Sequence, residues 1–221
     1  MCWNQYVSIN TFVFGIFTLI LIFFNNLYSP YKLHEFKRFG TYFFFMSFIS
    51  IQAIEYVLWK NLKNDKINHQ YSFYAAVLLF IQPVASLFMI DNLFLRFIMI
   101  ILYLLFMSYN NGKLKLDINK KNYYSSISKS GHLKWEWLGN WLNMNDYKGY
   151  IWLFFLFFSL ILNKDYFFTV CALFLLIISK YYYDKDKTPG SLWCWSVNII
   201  VLWYLIKLLI WLPYKEHGVC N

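Results

Sequence analysis

A chain of 221 residues that is 60% hydrophobic, 24% aromatic and only 14% charged is too apolar for a water-soluble domain, in which about a quarter of residues carry charge. Apolar runs of bilayer-spanning length take up most of the chain and leave no stretch for a separate soluble enzyme core. The net charge of +9 is spread over loops rather than gathered on a soluble module, which excludes nucleic acid as a partner.

The composition therefore predicts an all-α membrane protein, a single polytopic domain over 1–221. Counting runs of about 17 to 25 apolar residues predicts seven transmembrane helices. The first spans 6–27, ended by Asn25-Asn26 and Ser29-Pro30; its uncharged start argues against a cleaved signal peptide. The next three span 41–60, 71–90 and 93–109, the last two separated by Asp91-Asn92. After a polar loop over 110–149 come 150–163 and 166–183, read as a tight helical hairpin whose short first member either starts further back, near Tyr147, or is a thin, partly interfacial helix. The seventh spans 191–213, introduced by Thr188-Pro189-Gly190 and stopped by Pro213.

Seven crossings put the termini on opposite sides. The segments on the N-terminal side hold Lys60, Lys63 and Lys66, seven lysines between Lys113 and Lys148, and Lys180, Lys185 and Lys187; the other side holds Lys32, Lys37, Arg38, Lys164 and Lys215. The positive-inside rule then predicts a cytosolic N-terminus and a C-terminus on the opposite side. The same basic loops predict a partner in the bilayer itself, through anionic headgroups on the basic side. Phe, Tyr, Ile, Asn and Lys are abundant while arginine occurs only at Arg38 and Arg96. That is the residue set of AT-rich codons, so aromatic stripes here carry less functional weight than usual.

Within the polar loop, Lys113–Ile118 and His132–Trp137 alternate polar with apolar, the pattern of a β-hairpin lying on the membrane. The second run also reads helically through Trp137, Leu138, Trp141 and Leu142, giving a β-like start passing into a short interfacial helix over 137–143. Trp135, Trp137 and Trp141 are expected at headgroup level. The four histidines, 34, 69, 132 and 217, lie in separate polar segments without HxxxH or HExxH spacing, so no metal and no cofactor is assigned, and His132 with Glu136 is read as interfacial.

Polar residues at bilayer depth cost several kcal/mol by most scales and are functional candidates by default. Gln52, Glu55, Tyr56 and Trp59 stand at i, i+3, i+4 and i+7 on one face of helix two. Ser191, Cys194, Trp195 and Asn198 repeat that spacing in helix seven. At about 1.5 Å per residue, Glu55, Asn198 and Gln52 lie roughly 8, 10 and 12 Å below the basic face and Gln82 of helix three roughly 16 Å. Gln82 precedes Pro83, which frees a carbonyl one turn earlier. These depths predict a polar site of Gln52, Glu55, Tyr56, Trp59, Gln82, Cys194 and Asn198 between helices two, three and seven, opening to the basic side. The competing reading is that the same groups bond one another as interhelical glue.

Lys207 in helix seven invites a retinal Schiff-base reading. It lies nine residues from Asn198 on the opposite helix face and within snorkelling reach of the far headgroups, which argues against a chromophore. Arg96 reads as an interfacial anchor, and the four cysteines give no disulfide framework.

Met46-Ser47-Phe48 with Gln52–Trp59, Gln82-Pro83, Gly131–Trp137 and Gly190–Trp195 together resemble a group of uncharacterised multipass membrane proteins of large DNA viruses and some protists. The resemblance implies a multipass fold and carries over no functional residues, because the group has no established activity. Two functions follow from the residues: a transporter or channel for a small solute, ion or proton, or a non-catalytic structural or interaction protein of a membrane, viral under the resemblance. A membrane-embedded hydrolase comes third.

Overall fold

The computed structural model describes residues 4–111, 123–138, 147–184 and 188–217. They form α1 (Gln5–Tyr28), a 3-10 turn (His34–Lys37), α2 (Phe39–Lys60), α3 (Asp65–Leu87), α4 (Leu93–Asn111), β1 (Ser125–Ile127), β2 (Leu133–Trp135), α5 (Tyr147–Leu162), α6 (Tyr166–Tyr183) and α7 (Pro189–Ile206), which runs through a π turn (Lys207–Trp211) into α8 (Leu212–His217). The fold is all-α with one small two-stranded sheet. Five stretches are long and apolar enough to cross a bilayer: Gln5–Tyr28, Phe39–Lys60, Asp65–Leu87, Tyr166–Tyr183 and Leu192–Lys215; Leu93–Tyr109 and Tyr147–Leu162 are shorter.

Contacts between α2 and α3, α3 and α5, α5 and α6, α6 and α7, and α7 and α2 close a cycle of five helices, with α1 packed on α2 and α7 and α4 packed on α3. Aromatic rings from several members fill its interior. Trp193 of α7 meets Phe48 of α2 at 5.8 Å, Trp152 of α5 at 6.1 Å and Phe157 at 6.2 Å. Nearer the start of α2, Phe44 meets Phe168 of α6 at 5.8 Å.

Helix α1 docks through a stripe of small residues, Ser8, Thr11, Gly15 and Thr18, that brings the helices close, as membrane interfaces require. A Cβ on Gly15 would stand 2.9 Å from Ile49 of α2. The approach is closer at Gly40, where a Cβ would fall 2.5 Å from the carbonyl of Phe88. The start of α2 thus crosses the end of α3 backbone against backbone.

Pro83 lies inside α3 and has no N–H for the Leu79 carbonyl four residues earlier. The indole Nε1 of Trp152 supplies the missing donor at 3.2 Å, and the hydroxyl of Tyr103 donates to Phe80 at 2.8 Å in the same turn. Trp152→Phe leaves that buried carbonyl unsatisfied and should destabilise by about 1–3 kcal/mol. Pro83→Ala restores the helical donor, so the double variant should recover most of the loss in a thermal unfolding cycle. Additive losses would mean that the indole contributes through packing alone.

Several boundaries differ from the sequence reading. Helix α3 starts at Asp65 rather than at 71, because Asn64 caps it by accepting from Ile67 N and its first polar turns hold the hairpin. Helix α7 passes through Pro213 instead of stopping there. The π turn just before it, closed by Leu212 N to Lys207 O, widens the helix where the proline lacks a donor and would crowd the Leu209 carbonyl. The hairpin pairs Ser125 with Trp135 and Ile127 with Leu133, its turn carried by Gly131 at φ 80. The partner for the His132–Trp137 run is thus 125–127; the expected strand over 113–118 and most of the helix over 137–143, with Trp141, lie outside the described residues.

Asn68 makes the hairpin part of the bundle. Its side chain accepts from Ser125 N at 2.9 Å and donates to Ser125 O at 2.8 Å, completing one peptide unit as a neighbouring strand would. Ser72 bonds Ser125 Oγ at 2.8 Å, and His69 Nδ1 meets the Tyr123 carbonyl. Trp135 and Trp137 stack at 5.6 Å and are buried. The hairpin thus folds onto the bundle end and turns its apolar face to protein.

Candidate functional site

The expected polar residues of α2, α3 and α7 are buried: Gln52, Glu55 and Gln82 completely, Cys194 and Asn198 nearly so. Their arrangement is staggered along the bundle. Measured from the Gly40–Phe88 crossing, Glu55 lies fifteen residues away and Gln82 six, a difference of about 13 Å along the bundle at 1.5 Å per residue. Gln82 lies in the last turns of α3, near that crossing. Cys194 bridges the two levels, its thiol beside the Gln82 amide and within electrostatic range of the Glu55 carboxylate.

The carboxamide of Gln82 is fully buried; the Cys194 thiol lies beside it, and neither Nε2 nor Oε1 makes a hydrogen bond of ordinary geometry among the described residues. Native proteins leave few buried polar groups unsatisfied, and each such group needs a physical account. Gln52 faces α1: its Oε1 accepts from Thr11 at 3.2 Å, while Nε2 has no partner. Asn198 donates Nδ2 to the Trp195 carbonyl of its own helix at 2.9 Å and leaves Oδ1 unused. The indole N–H of Trp59 is likewise buried without an acceptor. Tyr56 belongs elsewhere, since its hydroxyl accepts from Lys60 at 3.2 Å at the exposed end of α2. Among the described residues no hydrogen bond joins Gln52, Gln82 and Asn198 to one another.

The sequence reading missed Thr11 and Thr18. Thr18 is fully buried with an unpartnered hydroxyl. The signal was present as the Ser8-Thr11-Gly15-Thr18 periodicity of α1. Another missed clasp joins Ser86 to the Leu156 carbonyl and to Ser159, both at 2.5 Å, in the contact of α3 with α5.

At the opposite end Lys207 pairs with Glu35 at 2.5 Å and Arg38 with Asp91 at 2.5 Å. The Lys207 ammonium therefore serves as an ion-pair partner of the turn before α2. Burial and the nearby Glu35 carboxylate raise the Asp165 carboxyl above its ordinary range, with Arg38 and Lys207 opposing. Arg96 forks onto the Ile90 carbonyl at 2.8 and 2.5 Å. Among the described residues no group of three His, Cys, Asp or Glu side chains gathers to hold a metal.

Comparison with protein-family models, with curated proteins and with solved structures finds no match for this chain. Its site is therefore read from its own chemistry.

Proposed function

We propose that this chain crosses the bilayer seven times, with a cytosolic N-terminus, and takes a small polar solute, ion or proton onto the polar line from Glu55 through Cys194 to Gln82. The observation that carries this reading is the Gln82 carboxamide, fully buried in an apolar helix with only the Cys194 thiol beside it and no hydrogen bond of ordinary geometry. In hydrocarbon such a group costs several kcal/mol, a cost that a bound polar guest or water offsets. Access is from the hairpin end. Phe44 and Phe168 fill the interior toward the other face, and Phe48 with Trp193 stands between Gln82 and the hairpin end, which favours a gated transporter over an open channel.

The aromatic filling also favours a second reading, a non-catalytic structural or interaction protein of a cellular or viral membrane. Thiol labelling separates the two. With Cys2, Cys171 and Cys220 replaced by Ser, Cys194 in sealed vesicles should react with a small water-soluble methanethiosulfonate added on the hairpin side. A Gln82→Cys variant lacking the other thiols should react from that side as well. Protection of both thiols until the protein is unfolded would establish a dry core and the structural reading.

A further inference from the structure

The end of the bundle away from the hairpin gathers charges whose signs do not balance. Lys207 of α7 pairs with Glu35 of the turn before α2, and Arg38 with Asp91 of the α3–α4 turn. Asp165, at the start of α6, stands within electrostatic range of Glu35, Arg38 and Lys207. Its carboxylate neither caps α6 nor forms an ion pair among the described residues. Tyr204 of α7, one turn before Lys207, lies within range of both Glu35 and Asp165, while Lys164, Lys37 and His34 are exposed. Glu35, Asp91 and Asp165 thus face Arg38 and Lys207, both already committed, and Asp165 is the odd carboxylate.

This cluster is neutral with one proton bound and carries a net negative charge without it. A partly buried charge that lacks a partner is costly, and burial together with the Glu35 carboxylate raises the Asp165 carboxyl against the pull of Arg38 and Lys207. The elements that carry these groups are not equally fixed. Asn26 of α1 accepts from Leu33 N and donates to Leu33 O, and the Thr41 hydroxyl donates to the Glu35 carbonyl at 2.7 Å, so the turn before α2 is tied on both sides. The α5–α6 turn is tied to the chain just past α3, where Asn163 donates to the Met89 carbonyl at 3.1 Å. Helix α7 is the freer partner: Lys207 opens its π turn, and Leu209, Ile210 and Trp211 in that turn are exposed. Such turns are rare inside helices and recur at functional sites.

We propose that this end of the bundle is a proton-operated latch between α7 and the turn before α2. With a proton on Asp165, Lys207 belongs to Glu35 alone and the latch is closed. When the proton leaves, two carboxylates compete for one ammonium, the cluster holds an unbalanced charge, and the part of α7 beyond Lys207 moves off the turn and admits water. The latch acts on the face opposite the hairpin-side entrance and stands whether or not the polar line takes a guest.

The test uses the full chain in detergent with its native cysteines replaced by Ser and spin labels at Lys32→Cys and Tyr214→Cys, one on the linker before Glu35 and one past Lys207 on α7. Double electron–electron resonance should report a short distance at about pH 4 and a longer population that grows toward about pH 8. Asp165→Asn, which keeps the size and the neutral form, should hold the short distance at every pH. Glu35→Gln, which removes the partner of Lys207 on the turn, should show the longer one throughout. Thermal unfolding of the unlabelled protein gives a second reading. The folded state holds the Asp165 proton more tightly than the unfolded chain, so the stability it contributes is full below the ordinary carboxyl range and is lost as pH rises through the raised value. Asp165→Asn should therefore match the wild type at about pH 4 and unfold at a higher temperature than the wild type at about pH 8. A wild-type distance that ignores pH, or a pH response unchanged in Asp165→Asn, would overturn the proposal. So would a gain in stability for Asp165→Asn that is the same at both ends of the range.

Discussion

Gly40→Ala is expected to lower the thermal unfolding midpoint of the detergent-solubilised protein by about 10 °C. The added methyl would lie 2.5 Å from both the carbonyl carbon and the carbonyl oxygen of Phe88 and 2.7 Å from the amide nitrogen of Met89. All three are backbone atoms, so no rotamer change relieves the clash, and α2 and α3 must separate where they cross. Overpacking a core costs about 1–3 kcal/mol where side chains can adjust; with backbone on the far side the upper end applies, and about 3 kcal/mol at 2–4 °C per kcal/mol gives the stated shift. Gly15→Ala is the internal control. Its Cβ would meet only the Ile49 side chain, at 2.9 Å, which can turn aside, so its loss should be about a third as large. Equal losses at the two glycines would show that the α2–α3 crossing is looser than its geometry. A loss confined to Gly15 would place the tight seam between α1 and α2.

The same crossing explains what could be read from the sequence. Long apolar runs are set by the thickness of the bilayer, a constraint that acts on each segment separately, so α1, α2, α6 and the turn at Asn163–Asp165 follow from local composition. Where a boundary depends on a distant partner, the local pattern misleads. The polar start of α3 reads as loop by hydropathy. It is helical because Asn68 and Ser72 have a use for their side chains in Ser125, across more than fifty residues of chain. That Trp135 and Trp137 pack against the bundle depends on the hairpin closing onto it. The polar set of α2, α3 and α7 was legible as residues. The size of its stagger was not, because depth was counted from helix ends that tertiary contacts move, and the turn of Gln52 toward Thr11 depends on which helices become neighbours.

Gln82→Leu should raise stability and abolish hydration of the polar line, a pair of opposite effects that separates a binding group from a structural one. Leucine is close to glutamine in volume and carries no polar atom. Replacing a buried amide that makes no hydrogen bond of ordinary geometry removes a desolvation cost of about 1–3 kcal/mol, which raises the unfolding midpoint by about 3–10 °C. If Gln82 instead held helices together, its loss would lower the midpoint by a similar amount. The functional half is read at Cys194, whose thiol lies beside the Gln82 amide: once the donor and acceptor at position 82 are gone, water has less reason to enter, and labelling from the hairpin side should slow about tenfold, the equivalent of roughly 1.4 kcal/mol from one lost polar partner. Gln82→Asn keeps the amide and shortens it by one methylene, so it should retain labelling while losing a little stability to the cavity it leaves. A stabilised Gln82→Leu protein whose Cys194 reacts as fast as before would mean that Gln82 is a misfit in a dry core, and the polar line would lose its claim to a ligand. A stabilised protein with a silent thiol is the outcome that the buried carboxamide predicts.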